Sequence, residues 1–290
     1  LQRPGDVEQL NAGESEDFDA PRRARSDWRE VWGIWHFRRL RRDYYAGASE
    51  ISMSRKERTT TMEIGFVVFP RVQQLDLTGP YEVFASWRDA RVRLVWKSLE
   101  PLRSSTGLTL TPTTIFADCP QLDVICVPGG VGVNALMRDE TTLAFLSAQA
   151  KGARFATSVC TGALALGAAG LLRGKRATTH WASLDLLAAF GAVPVKARVV
   201  RDGAVVTGGG VTAGIDFALT LIAELAGADV AETIQLNLEY APEPPFAAGS
   251  PETARPEIVA RVRAMSADVR AERERLADEA RRDSERPGAS

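Results

Sequence analysis

The chain has 290 residues, 36 Lys and Arg against 37 Asp and Glu, a formal charge of −1 and 45% hydrophobic residues. Nothing in that balance points to nucleic acid or a membrane surface, and the length admits one large domain or two. Three cysteines (Cys119, Cys126, Cys160) without a CxxC pair and two histidines (His36, His180) argue against a disulfide framework, a zinc site or a multi-histidine metal centre, and fit a reducing cytoplasm.

Residues 1–61 are rich in Arg, Glu, Asp and Ser and lack alternating apolar runs. Trp28, Trp32 and Trp35 fall at helical spacing among arginines, a pattern that would suit a basic helix on a membrane or partner. No core can be built from such a segment, so it reads as a disordered extension, and it has no apolar h-region of a secretory signal. No run of about 18 apolar residues offers a membrane span anywhere in the chain.

From Met62 the texture changes. Ile64 to Phe69 is continuously apolar, as expected of a strand buried on both faces of a parallel sheet. Thr78 and Pro80 predict an N-cap and first turn of a helix reaching Trp87. Val92 to Trp96 reads as a strand, Ser104 to Thr114 as a hairpin or β-extension, and Val124 to Val127 as a second buried strand ending in Pro128-Gly129-Gly130. Helical stretches follow near Val133 to Met137 and Thr141 to Ala150. Phe155 to Val159 is again strand-like, Cys160 comes next, and Ala163 to Leu172 reads as a buried helix. A cysteine between strand and helix marks a nucleophile elbow, where helix N–H groups favour thiolate over thiol.

Ala177 to Trp181 reads as a short strand and Leu184 to Phe190 as a helix. Asp202-Gly203 signals a hairpin within Ala197 to Val206, and Ile215 to Leu225 and Ala231 to Tyr240 are helical. The domain closes near Pro251, and residues 252–290 form a charged tail whose Ile258, Val262, Met265 and Val269 predict a surface helix. Strands alternating with helices imply an α/β three-layer sandwich with a mainly parallel sheet. In such a sheet ligands bind beyond the carboxyl ends of the strands. The loops there bring together an acid (Asp76), two backbone donors expected to stabilise an anion (Gly129, Gly130) and a thiol beside a hydroxyl (Cys160, Thr161). Burial between Leu75 and Leu77 should raise the pKa of Asp76.

The segments QQLDLTGPYEVF, DVICVPGG, TSVCTGALALGAAGLLRGKRATTHW, VVTGGGVTAGIDFALTL and LEYAPEPPFAAGSP resemble the isonitrile-hydrating branch of the ThiJ/PfpI superfamily. The resemblance spans Met62 to Pro251. It implies a flavodoxin-like homodimer without cofactor that converts an isonitrile, R–N≡C, into the N-substituted formamide. It also implies that Cys160 is the nucleophile, Asp76 the general acid/base and Thr161 the assisting hydroxyl. His180, Cys119 and Cys126 read as structural. A glyoxalase- or deglycase-like activity is disfavoured by Asp76 and by Thr161 after the cysteine. A sensory domain of the AraC regulator type is disfavoured because about forty residues after Pro251 are too few for its DNA-binding unit.

Removing residues 1–61 should leave activity and melting temperature nearly unchanged. A drop of more than about ten-fold in kcat/KM would show that the extension takes part in function.

Overall fold

The structure, a computed structural model, describes residues 61–285; what the sequence suggests for residues 1–60 and 286–290 lies outside the described residues. The strands are β1 (Met62–Val67), β2 (Ala90–Trp96), β3 (Leu102–Arg103), β4 (Thr109–Leu110), β5 (Thr114–Ile115), β6 (Val124–Val127), β7 (Phe155–Val159), β8 (Arg176–Ala177), β9 (Val193–Pro194), β10 (Val199–Asp202) and β11 (Val205–Gly208). Seven of them form one sheet in the order β10-β11-β7-β6-β1-β2-β5, parallel throughout except for the β10–β11 hairpin. Alternate residues of each central strand enter opposite cores. Val67, Ile125 and Val127 face one layer of helices, and Ile64, Phe66, Val124 and Cys126 face the other.

The α-helices are α1 (Gln74–Ala85), α2 (Val133–Leu136), α3 (Glu140–Gly152), α4 (Gly162–Ala168), α5 (Ala213–Ala226), α6 (Ala228–Asn237), α7 (Pro256–Met265) and α8 (Ala267–Glu285), with a 3₁₀ helix at Trp181–Phe190. Leu77 and Phe84 of α1 meet Phe217 and Ile222 of α5 on one face of the sheet. Leu164 and Leu166 of α4 and Leu187 of the 3₁₀ helix fill the other, so the α/β three-layer sandwich stands.

Four local expectations change. The first helix begins at Gln74, so Thr78 and Pro80 lie within it and Asp76 sits in its first turn rather than in a loop. Tertiary packing overrides the Thr-Gly-Pro signal: α1 and α5 cross so closely that a Cβ on Gly214 would stand 2.8 Å from Pro80 Cδ, and one on Gly79 3.2 Å from Ile215. Second, the helix after Cys160 stops at Ala168, followed by Gly170 at φ 77°. Third, the strand expected over Ala177 to Trp181 is instead the two residues Arg176–Ala177, so only Ala177 of it pairs; Thr178 and Thr179 bond through their side chains.

The fourth concerns the charged tail. It forms two helices meeting at Ser266, and α8 is more than a surface helix, because Leu276 and Ala277 are buried in the core beside the 3₁₀ helix. Arg270 fastens α8 by bonding Asp185 through two nitrogens, at 2.8 and 2.5 Å, and the Ala182 carbonyl at 2.6 Å. Met265 of the predicted apolar stripe stays exposed.

If α8 is part of the core, Leu276→Ala should destabilise the domain by about 2–4 kcal/mol in urea denaturation, the usual range for a buried leucine. A loss below about 1 kcal/mol would mean that α8 rests on the surface.

Candidate active site

Strand order reverses at β1: the chain passes from β1 outward to β2 and β5, then returns to place β6 on the other side of β1. The crevice at such a reversal lies beyond the carboxyl ends of the strands. Here β1 leads to Asp76, β6 to Gly129 and Gly130, and β7 to Cys160 and Thr161, so the five residues singled out in the sequence come to one place.

Cys160 has φ 54°, a left-handed conformation that costs a non-glycine residue about 1–2 kcal/mol and is the mark of an elbow. Its surroundings hold it there. Its N–H donates to the Gly208 carbonyl of β11 at 3.1 Å, and its carbonyl accepts from the Thr179 hydroxyl at 2.7 Å. The next turn passes so close to β6 that a Cβ on Gly162 would stand 1.9 Å from the Val127 carbonyl oxygen, so only glycine fits. The sulfur is thereby turned toward α1, where the Asp76 carboxyl accepts its hydrogen bond.

Asp76 is fully buried. Its Oδ2 accepts the Gly129 N–H at 2.9 Å, while Oδ1 has no hydrogen-bond partner among the described residues. Burial raises the carboxyl to about 7, against the opposing pull of the bonds from Cys160 and Gly129. Thr161 Oγ1 accepts the Gly130 N–H at 3.0 Å. Both glycine N–H groups are thus engaged. Rather than standing open to stabilise an anion, they fix the acid and the hydroxyl on either side of the thiol.

The expected thiolate is not the resting form. Burial pushes the Cys160 thiol well above its ordinary value, and the Asp76 carboxylate beside it pushes the same way. The Thr161 N–H and the Arg273 guanidinium draw it partly back. Helix α4, only seven residues long and buried, does not outweigh desolvation. Both groups are therefore protonated below about pH 7, and above it a carboxylate faces a neutral thiol.

His180 Nδ1 accepts the Ala182 N–H and so starts the 3₁₀ helix; burial holds its pKa low, with Arg273 acting in the same direction. Cys126 is fully buried on the α1/α5 face, and burial lifts it to about 12; Cys119 is lifted to about 11. Neither cysteine stands in the crevice.

Arg273 of α8 escaped the sequence reading. Its Nη2 donates to the Gly130 carbonyl at 3.0 Å, its Nε to Asn134 Oδ1 at 3.0 Å, and its Nη1 lies 3.5 Å from Ser183 Oγ. A signal did exist. Arg270, Arg275, Arg281 and Arg282 each have an acidic residue three or four positions away along the helix; Arg273 has Val269, Arg270, Leu276 and Ala277.

The DJ-1/PfpI family model matches residues 62–224. Isonitrile hydratase of Pseudomonas putida is 66% identical over 206 residues, covering 71% of this chain and 90% of that protein. The crystal structure of a ThiJ/PfpI family protein from Pseudomonas syringae superposes with a TM-score of 0.74 at 42% identity, covering 81% of this chain and 99% of that one. Drosophila melanogaster DJ-1beta shares the fold, with a TM-score of 0.58 at 22% identity, over 63% of this chain and 100% of that one.

The raised Asp76 fixes the sign of a pH effect. Between about pH 4 and about pH 7 the folded protein keeps a proton that the unfolded chain has released, so stability falls as pH rises through that window. Asp76→Asn lacks this penalty. It should gain on the order of 2–4 kcal/mol over wild type at pH 8 relative to pH 4, measured by urea denaturation at both pH values. An equal difference at the two values would place the carboxyl at an ordinary pKa.

Proposed function

This chain belongs to the DJ-1/PfpI family, and from that premise we propose that it hydrates isonitriles to N-substituted formamides through a covalent intermediate on Cys160. The observation that carries this reading is the Asp76–Cys160 pair, a buried thiol beside a buried carboxyl whose pKa burial lifts to about 7. The 66% identical isonitrile hydratase supports the substrate class.

An isonitrile carbon accepts a nucleophile and a proton at the same atom, since attack without protonation leaves an unstable carbanion. The pair supplies both. Asp76 takes the proton from the Cys160 thiol, the sulfur attacks the terminal carbon, and Asp76 delivers the proton to that carbon, giving the thioimidate R–N=CH–S. The unpartnered Oδ1 has lone pairs free to carry the proton. Water then adds to the same carbon, and Asp76 accepts one of its protons and passes that proton to the nitrogen. The tetrahedral adduct R–NH–CH(OH)–S expels the sulfur, giving R–NH–CHO and a thiol. Thr161, fixed by Gly130, orients the attacking water. No oxyanion forms in the first step, which agrees with a site whose glycine N–H groups serve the side chains.

The same reading makes the protein a homodimer working in a reducing cytoplasm. The three free cysteines and the absence of any helix among the described residues long and apolar enough to cross a membrane are compatible with it.

Cyclohexyl isocyanide and methylglyoxal, offered to one preparation, test the proposal, with the formamide followed by NMR. Isocyanide should be consumed. Cys160→Ser should lose turnover while Cys119→Ser and Cys126→Ser keep most of it, and Asp76→Asn should lower kcat by at least about 10²-fold. Wild-type turnover by Cys160→Ser would remove the covalent intermediate. Turnover of methylglyoxal alone would replace the substrate class.

A further inference from the structure

The guanidinium of Arg273 is a half-buried cation whose hydrogen-bond partners among the described residues are all neutral: a carbonyl, an amide oxygen and a hydroxyl. Among the described residues no carboxylate pairs with it, whereas its neighbour Arg270 is bound to Asp185 and Glu274, and Arg275 to Glu272 and Glu279. Taking a charge out of water without an opposite charge is unfavourable, so such a cation needs another counter-charge. The bond to the Gly130 carbonyl holds it against the segment whose N–H anchors Thr161, the residue next to Cys160.

We propose that Arg273 is a positioning residue for the nucleophile: it sets a fixed positive charge on the sulfur side of the Asp76–Cys160 pair, so that negative charge settles on sulfur when Asp76 takes the thiol proton. The inference rests on the reading of Cys160 as the nucleophile. The groups around Arg273 and the pair agree with it. From α1 comes Asp76 itself. From the start of the 3₁₀ helix comes His180, held toward its neutral form, and Ser183 and Asn134 carry no charge. Arg270, one turn before Arg273, is neutralised by its own acids and repels Arg273 rather than pairing with it. Arg273 lowers the thiol's pKa, and Cys160 in turn steadies the guanidinium against its burial. Arg273 also lies beyond residue 224, outside the stretch matched by the family model, so the chain beyond that stretch supplies this charge.

The test is the pH dependence of Cys160 alkylation by iodoacetamide, read by mass spectrometry on the Cys160 peptide, in wild type, Arg273→Lys, Arg273→Gln and Arg273→Met. Thermal unfolding checks each fold. Gln keeps a donor for the Gly130 carbonyl but not the charge. In the Gln and Met variants the alkylation midpoint should move up by about one unit, with alkylation about ten-fold slower near pH 7. Lys should stay near wild type. A folded Gln or Met variant with an unshifted midpoint would overturn the proposal, even if its kcat fell, because Arg273 would then only hold the loop. Equal shifts in Lys and Gln would overturn it as well. Alkylation requires no isonitrile, so failure of the hydration assay leaves this result interpretable.

Discussion

Two acidic groups buried against one another can share a proton, but they cannot both be charged without a large electrostatic penalty. Asp76 and Cys160 stand in that relation, and much of the local architecture maintains it. The elbow turns the sulfur toward α1, α1 buries the carboxyl, and the Gly129 N–H fixes one carboxyl oxygen while the other stays unpaired. The space is tightly shared: a Cβ on Gly129 would stand 2.6 Å from Asp76 Oδ2 and 2.6 Å from the Thr161 nitrogen. The backbone passes between acid and hydroxyl with no room for a side chain.

The parallel sheet was legible because strands buried on both faces leave unbroken apolar runs, as in Ile64 to Phe69 and Val124 to Val127. The elbow was legible because a cysteine between such a run and a small-residue helix has few other geometries. Less legible were features decided by contacts far apart in sequence. The start of α1 depends on Gly214 and Ile215 of α5 accepting Gly79 and Pro80, which the local Thr-Gly-Pro pattern does not contain. The state of the thiol was misread for a similar reason. Spacing shows a helix terminus beside Cys160 but not the burial of sulfur and carboxyl together, and burial dominates. The glycine N–H groups stand where the motif puts them, yet their partners Asp76 and Thr161 appear only once three loops meet.

The two layers of helices contribute unequally to the crevice. The α1/α5 layer supplies the acid and is held by a close helix crossing through Gly79, Pro80 and Gly214. The opposite layer supplies the half-buried cation on α8, which also carries ion pairs, Arg270 on Asp185 and Arg138 on Glu279. Exposed ion pairs of this kind contribute little stability singly, so Leu276 and Ala277 carry most of the docking of α8.

The segments that meet in the crevice are far apart along the chain: Asp76 and Gly129 by 53 residues, Gly130 and Thr161 by 31, Arg273 and Gly130 by 143. A ribosome therefore makes the elbow long before it makes the helix that carries Arg273. During that interval the nascent chain holds a cysteine without its finished surroundings, and the crevice gains its cation only when α8 docks. Recovery of turnover after dilution from denaturant would accordingly report closure of the whole domain, whereas recovery of helical signal would report earlier, more local events.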